Sequence, residues 1–146
     1  MKDPILVMVL DDEAIVGERL RPVLENAGFQ VETFTESPKA LKRLEEKKFD
    51  ILVTDLKMDG PSGLDVLRYL KEHQPETQAI LVTGYPTIER CRDTEYLNAV
   101  FVTKPFKLEQ IVKLVQAAAR NLEKLEKKSK PARRGYEKEE PSNGLG

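Results

Sequence analysis

Four short runs of apolar residues stand out along the chain, and none of them alternates polar with apolar positions. They are ILVMVL (5–10), ILVT (51–54), AILVT (79–83) and AVFVT (99–103). Runs of this kind are typical of strands that are buried on both faces, as in a parallel sheet covered by helices. A weaker run, QVETF (30–34), does alternate and predicts an edge strand.

Between these runs the apolar residues recur with helical spacing, which predicts five helices. Gly28 is predicted to end the first helix, and Ser37 to be the N-cap of the second, with Pro38 at its first position. Residues 86–96 are predicted to form the fourth helix, although their apolar face is thin. The fifth helix has the longest apolar face, over residues 108–122.

The order of elements is therefore strand then helix, repeated five times. Such alternation predicts an α/β fold with a doubly wound, five-stranded parallel sheet and helices on both of its faces. Residues 127–146 are rich in charge, Pro and Gly and offer almost nothing to bury. We therefore predict one domain over residues 1–126, followed by a charged, disordered tail over 127–146.

Composition narrows the class of protein. The 146 residues are 40 % hydrophobic and 34 % charged, and their net charge of −1 selects neither nucleic acid nor an anionic membrane. The single cysteine, Cys91, and the single histidine, His73, exclude an internal disulfide, a cysteine-based zinc site and a multi-histidine metal site. The first apolar run is too short for a signal peptide or a membrane span, so we expect a cytoplasmic protein.

Polar residues follow four of the five predicted strands. Asp11 and Asp12 follow the first strand, Asp55 the third, and Lys104 the fifth, while Thr83 ends the fourth. Taken singly, each has an ordinary explanation as a helix cap, a turn residue or a strand end. In an open α/β sheet, however, ligands bind beyond the carboxyl ends of the strands, which is where all five groups should meet.

Three carboxylates would not share such a site unaided. Two of them ~5 Å apart repel by roughly 3 kcal/mol at an effective dielectric constant of ~20. One lysine compensates this in part, and a divalent cation with oxygen ligands such as Mg²⁺ would do the rest. A carboxylate beside Mg²⁺ can attack phosphorus to form an acyl phosphate. No GxxxxGK[ST] motif is present, so the site does not cradle a nucleotide in that way.

The segments VLDDE, LVTDLKMDGPSGLDVL, ILVTGY and VFVTKPF resemble the receiver domains of two-component response regulators, in order and with suitable spacing. The resemblance covers residues 4 to about 122. It implies a flavodoxin-like sheet with strand order 2-1-3-4-5. It also implies that Asp55 is the phosphoacceptor. Asp11, Asp12, Asp55 and the backbone carbonyl of Lys57 would be the Mg²⁺ ligands.

Further roles follow from the same resemblance. Thr83 matches the switch hydroxyl, Lys104 the lysine that contacts the phosphoryl group, and Phe101 the aromatic residue that changes rotamer. The Lys104–Pro105 peptide bond would be cis. Lys57 and Tyr85 would flank the access of water to the phosphoryl group. Since neither is a carboxylate or an amide that could orient that water, we expect slow dephosphorylation.

The resemblance also implies which classes of protein bind this chain. A sensor histidine kinase or a histidine phosphotransfer protein would supply the phosphoryl group, and a downstream protein would bind the face formed by the predicted helix over 86–96, the fifth strand and the last helix. We expect no direct contact with nucleic acid or membrane. A stripe on the last helix predicts its packing on the sheet or a weak homodimer; it consists of Ile111, Val115, Ala118, Leu122 and Leu125.

Two alternatives remain open. A haloacid-dehalogenase-like phosphatase also uses an aspartate nucleophile, a hydroxyl, a lysine and Mg²⁺, but it needs a second aspartate two residues after the first, where this chain has Lys57. A degenerate receiver would bind partners without being phosphorylated. We expect a signalling protein that catalyses only its own phosphorylation and dephosphorylation and is not otherwise an enzyme.

Overall fold

The computed structural model of the protein describes residues 4–55, 63–84 and 99–136, with side chains except at residues 63–64 and 125–136. Within these ranges five strands alternate with four helices, as predicted, and the fourth predicted helix, over 86–96, lies outside the described residues. The elements are β1 (Leu6–Leu10), α1 (Ala14–Asn26), β2 (Gln30–Phe34), α2 (Ser37–Glu46), β3 (Ile51–Asp55), α3 (Gly63–His73), β4 (Gln78–Thr83), β5 (Ala99–Thr103) and α4 (Leu108–Tyr136).

All five strands are parallel, and their order in the sheet is β2-β1-β3-β4-β5. This confirms the doubly wound sheet and its predicted strand order. The chain runs from β1 to β2 in one direction and from β3 to β5 in the other. The direction therefore reverses between β1 and β3, which is where α/β sheets of this kind form a crevice at the carboxyl ends of the strands.

Each face of the sheet is covered by its own hydrophobic core. On one face, Leu6, Met8 and Leu10 of β1 pack with buried residues of α2 and α3. On the other face, Val7 and Val9 of the same strand pack with buried residues of α1 and α4. Because successive strand residues point to opposite faces, a strand covered on both sides must be apolar at every position, as the central strands are.

The last strand departs from the prediction. β5 was predicted to be buried throughout because AVFVT has no alternation, but only Val102 is buried and Val100 is 47 % exposed. The reason is its place in the sheet, since within the described ranges β5 pairs with β4 alone and is therefore an edge strand. The alternating strand β2 lies at the opposite edge, as predicted.

The end of α1 is where the sequence predicts it, and the start of α2 differs by one residue. Gly28 follows α1 with a φ of 103°, and the N–H groups of Gly28 and Phe29 donate to the carbonyls of Glu25 and Leu24. A residue with a side chain would be strained at that φ, so glycine is favoured there. Ser37 was predicted to be an N-cap but is the first residue of α2, and Glu36 occupies the cap position instead.

The last helix is longer than predicted. Ile111, Val115 and Ala118 are buried against the sheet and Leu122 packs beside them, so the apolar stripe is the core face of α4 over these residues. Helical backbone continues to Tyr136, which differs from the disordered tail predicted from residue 127. A helix forms its backbone hydrogen bonds internally and can outrun the sheet without burial. Residues 137–146 lie outside the described residues.

Among the described helices, none combines the length and the apolar character that crossing a membrane requires.

Buried hydrogen bonds tie the helices to the amino-terminal end of the sheet. Gln74, which follows α3 and is buried, donates from Nε2 to the Leu44 carbonyl at 2.7 Å. Its Oε1 accepts the Phe49 N–H at 3.2 Å. The Thr77 hydroxyl donates to the Phe49 carbonyl at 2.7 Å. One amide side chain thus joins α2, α3 and the segment that enters β3.

Replacing Gln74 with Leu should lower the free energy of unfolding by about 2–4 kcal/mol, because two buried backbone groups lose their partner. Urea unfolding would measure the change. The matched control is Gln30→Leu, which makes the same substitution at an exposed position of β2 and should stay within about 0.5 kcal/mol of the wild type. Equal midpoints for the two variants would contradict the role given to Gln74.

Candidate functional site

Four strands deliver polar side chains to one edge of the sheet, as the sequence predicts. The ammonium nitrogen of Lys104 lies 2.7 Å from Asp55 Oδ2 and 3.2 Å from Asp11 Oδ2. One lysine after β5 therefore bridges the carboxylates that follow β1 and end β3. Asp11 and Lys104 are 93 residues apart in the chain, so the sheet itself creates the contact.

The backbone fixes where these side chains start. The Asp11 N–H donates to the Phe34 carbonyl at 3.1 Å, which continues the pairing of β1 and β2 by one residue. The Lys104 N–H donates to the Thr83 carbonyl at 2.8 Å, which sets Lys104 beside the end of β4. The Lys104–Pro105 peptide bond is cis, as the resemblance implies. Each functional residue thus belongs to a strand end held by its neighbour.

Burial differs among the acidic residues. Asp11 is 3 % and Asp55 8 % exposed, whereas Asp12 is exposed. Two carboxylates of the site are therefore buried at the carboxyl ends of the strands, and the third faces solvent.

The surroundings of Asp11 disfavour the ionised form of its carboxyl group. Burial raises the pKa of its carboxyl above the usual value of 3.8, and the charge of Asp55 adds to this effect. The Glu13 N–H, which donates to Asp11 Oδ1 at 2.9 Å, and the ammonium of Lys104 lower the pKa but do not offset the burial. A further cation at the site would therefore favour the ionised form of Asp11.

Lys104 stays positively charged. Burial lowers the pKa of its ammonium, but the hydrogen bond to Asp55 and the charge of Asp11 outweigh that effect, and the net change is a rise. Lys104 therefore stays protonated at physiological pH: it donates hydrogen bonds but does not serve as a general acid.

The donor set fits a hard divalent cation. Asp11, Asp12 and Asp55 each offer a carboxylate oxygen, and these oxygens all lie within 4.8 Å of one another. Among the described residues, the carboxylates at this edge outnumber the ammonium of Lys104, so the cluster carries a surplus of negative charge. Oxygen ligands in small number beside open solvent suit Mg²⁺, which keeps several of its waters. The three carboxylates of the predicted cation site thus lie close enough together to share one ion.

Thr83 and Phe101 lie on the same face of neighbouring strands. Thr83 is buried at the end of β4, and Phe101 of β5 is half-buried against the core that includes Leu81. Leu81 is paired with Phe101, and Thr83 with Thr103. Since alternate residues of a strand share a face, Thr83 and Phe101 point to the same side of the sheet. They are offset by two residues along the strand direction. The predicted switch residues are thus adjacent in the fold.

Two predicted site residues, Lys57 and Tyr85, lie outside the described residues. Their roles as a metal ligand and as flanks of the phosphoryl group stay predictions. Sequence reasoning missed one residue that the structure places at the site, since Glu13 Oε1 lies 3.6 Å from the Lys104 ammonium. The available signal was the uninterrupted run Asp11-Asp12-Glu13, in which the third acid was given no role.

Comparison with known proteins agrees with this geometry. A family model described as the response regulator receiver domain matches residues 7–116. The transcriptional regulatory protein FixJ of Bradyrhizobium diazoefficiens is 29 % identical over 118 residues, which are 80 % of this chain and 58 % of FixJ. The response regulator protein TodT of Pseudomonas putida is 32 % identical over 114 residues, 77 % of this chain and 50 % of TodT.

Solved structures give the same result. A crystal structure of a response regulator receiver protein from Pseudomonas putida is 28 % identical, with a TM-score of 0.72, and the match covers 80 % of this chain and 99 % of that one. The chain thus spans the whole of a solved receiver but only about half of FixJ and TodT. The likeness concerns the receiver part of these longer regulators.

Proposed function

This chain belongs to the response regulator receiver family, and from that premise we propose that it is a phosphorylation switch whose Asp55 accepts the phosphoryl group. The observation that carries the proposal is the contact of Lys104 with both Asp55 and Asp11, at 2.7 Å and 3.2 Å. The contact supports the proposal because it joins a positive charge to the carboxylate proposed as the nucleophile and to a candidate metal ligand.

The residues divide the chemistry among themselves. A carboxylate oxygen of Asp55 attacks the phosphorus atom of the donor, and the bond between phosphorus and the leaving group breaks. The Lys104 ammonium lies where negative charge on the transferred group's oxygens accumulates, and preorganised charge of this kind stabilises the transition state. The Thr83 hydroxyl donates a hydrogen bond to a phosphoryl oxygen once the group is attached.

Asp11, Asp12 and Asp55 would hold Mg²⁺, with the Lys57 backbone carbonyl as a further ligand. When bound, the ion supplies positive charge to the oxygens of the phosphoryl group. The raised pKa of Asp11 and the surplus of carboxylates at the site support a cation there. Asp11 has no part in bond making and serves to hold and orient the ion.

The source of the phosphoryl group would be a sensor histidine kinase or a histidine phosphotransfer protein. The output would be a downstream protein that binds the face containing β5 and α4. In this proposal the chain acts in the cytoplasm, and the only reactions it catalyses are its own phosphorylation and dephosphorylation. A weak homodimer through the end of α4 stays a prediction.

Acetyl phosphate with and without Mg²⁺ tests the function and separates it from its two rivals. A receiver gives one stable acyl phosphate per chain, and only with the metal. A haloacid-dehalogenase-like phosphatase would instead turn over many phosphate esters without accumulating label. A degenerate receiver would take no label under either condition, and that result would contradict the proposal.

The proposed roles of Thr83 and Phe101 predict that phosphorylation changes the structure mainly around β5. Phosphorylation should draw the Thr83 hydroxyl toward the phosphoryl oxygens and vacate space that the half-buried Phe101 ring fills. Because that ring has no hydroxyl, its inward rotamer buries no polar group. We expect the largest NMR shift changes, beyond the site itself, at Phe101 and along β5, and a Phe101→Ala variant should lose the changes along β5. Shift changes confined to α1 would contradict this mechanism.

A further inference from the structure

Lys104 has a third carboxylate beside it that the proposed chemistry does not use. Glu13 Oε1 lies 3.6 Å from the Lys104 ammonium, while Asp55 and Asp11 lie at 2.7 Å and 3.2 Å. Unlike the other two acids, Glu13 is open to solvent, with 66 % of its side chain exposed. Of the three carboxylates beside the ammonium, that of Glu13 is therefore the most accessible from solution.

The local backbone gives Glu13 this position. Glu13 is the N-cap residue of α1, in extended conformation with φ −88° and ψ 107°, yet its side chain forms no capping hydrogen bond. Its own N–H donates to Asp11 Oδ1 at 2.9 Å. The backbone of Glu13 therefore orients a candidate metal ligand. Its carboxylate reaches toward Lys104 and leaves the start of the helix uncapped.

We propose that Glu13 is a positioning residue that restrains Lys104 and slows phosphorylation by small anionic donors. The inference rests on the proposed function of Asp55. The carboxylate of Glu13 and a phosphoryl oxygen compete for the same ammonium. Glu13 also raises the number of carboxylates within 4.0 Å of the Lys104 ammonium from two to three, so an incoming anion meets one more negative charge. Both effects act against the approach of the donor.

The restraint should depend on salt. An exposed ion pair is weakened by screening, and the Debye length falls from about 10 Å at 0.1 M salt to about 3 Å at 1 M. An effect carried by the charge of Glu13 must therefore shrink as salt rises, whereas a change in the fold of the site would persist.

The assay uses acetyl phosphate at saturating Mg²⁺. A bond forms between an Asp55 carboxylate oxygen and phosphorus, the bond between phosphorus and the acetyl oxygen breaks, and acetate leaves with the electron pair. Glu13→Gln removes the charge and keeps the length of the side chain. The matched control is Glu18→Gln, which makes the same change at another exposed residue of α1.

We expect Glu13→Gln to be labelled about three to ten times faster than the wild type at low salt, with the difference falling below about twofold near 1 M salt. Glu18→Gln should follow the wild type at both concentrations. Equal or slower labelling of Glu13→Gln, or a gain that salt leaves unchanged, would overturn the role of Glu13 alone. A wild-type chain that takes no label would overturn the proposed function and this inference together.

Discussion

Replacing Asp55 with Asn is expected to abolish phosphorylation by acetyl phosphate while the fold is retained. The amide has almost the shape of the carboxylate, but its oxygen is a poor nucleophile and it contributes no negative charge to a metal site. The free energy of unfolding in EDTA should stay within about 1 kcal/mol of the wild type or rise, because one charge leaves a repulsive cluster. Intact mass and urea unfolding measure the two outcomes.

Asp65→Asn is the matched control for this substitution. Asp65 is an exposed residue of α3 whose carboxylate contacts Arg68, so it carries the same charge change away from the crevice. It should be labelled at the wild-type rate. If Asp55→Asn were labelled as fast as this control, the phosphoacceptor would be another residue and the assignment of Asp55 would be wrong.

Replacing Lys104 with Met should have the second largest effect. The ammonium contacts Asp55 directly, and the loss of one preorganised donor to a developing negative charge costs about 10²–10³ in rate in enzymes. We therefore expect labelling by acetyl phosphate at saturating Mg²⁺ to slow by about that factor. Lys107→Met, which removes an exposed lysine three residues further on, should leave the rate unchanged.

The same substitution should lower stability and make it depend more strongly on pH. Without Lys104, Asp11 and Asp55 lose their shared cation, and the metal-free variant should be less stable near pH 7 by about 1–3 kcal/mol, less than for a fully buried pair because Lys104 is 24 % exposed.

The sign follows from the pKa of Asp11, which burial already raises in the wild type. A raised pKa means that the Asp11 carboxyl binds a proton more readily in the folded chain than in the unfolded chain, so the contribution of Asp11 to stability falls as pH rises past 3.8, the usual value. Removing Lys104 raises that pKa further. The deficit of the variant should therefore shrink as pH falls and Asp11 becomes protonated. A deficit that is constant between about pH 7 and pH 4 would contradict this explanation.

The position of the site could be predicted from the sequence because the strands are short and continuous in hydrophobicity. Once ILVMVL and ILVT are taken as parallel strands, Asp11 and Asp55 must lie at one edge of the sheet, whatever separates them in the chain. The placement of Lys104 at that edge follows from the same reasoning, whereas its contact with Asp11 is seen only in the structure. These predictions needed only the direction of each strand.

Other features depend on tertiary neighbours that a local pattern does not contain. Val100 belongs to a fully apolar run, yet it is exposed because β5 has a partner strand on one side only. Glu13 has the sequence position of a helix cap, and its side chain reaches toward Lys104 because the end of β5 brings that charge within 3.6 Å. In both cases the deciding feature is set by the tertiary structure and not by the neighbouring residues in the sequence.

The most direct test of the account is to locate the phosphoryl group on the chain. The protein would be treated with acetyl phosphate and Mg²⁺, reduced with borohydride, which converts a phosphorylated aspartate into homoserine, and digested for peptide mass spectrometry. If Asp55 is the phosphoacceptor, homoserine appears at position 55, at no other aspartate, and only when Mg²⁺ is present. Conversion at Asp11 or Asp12, or conversion at Asp55 that persists in EDTA, would contradict it.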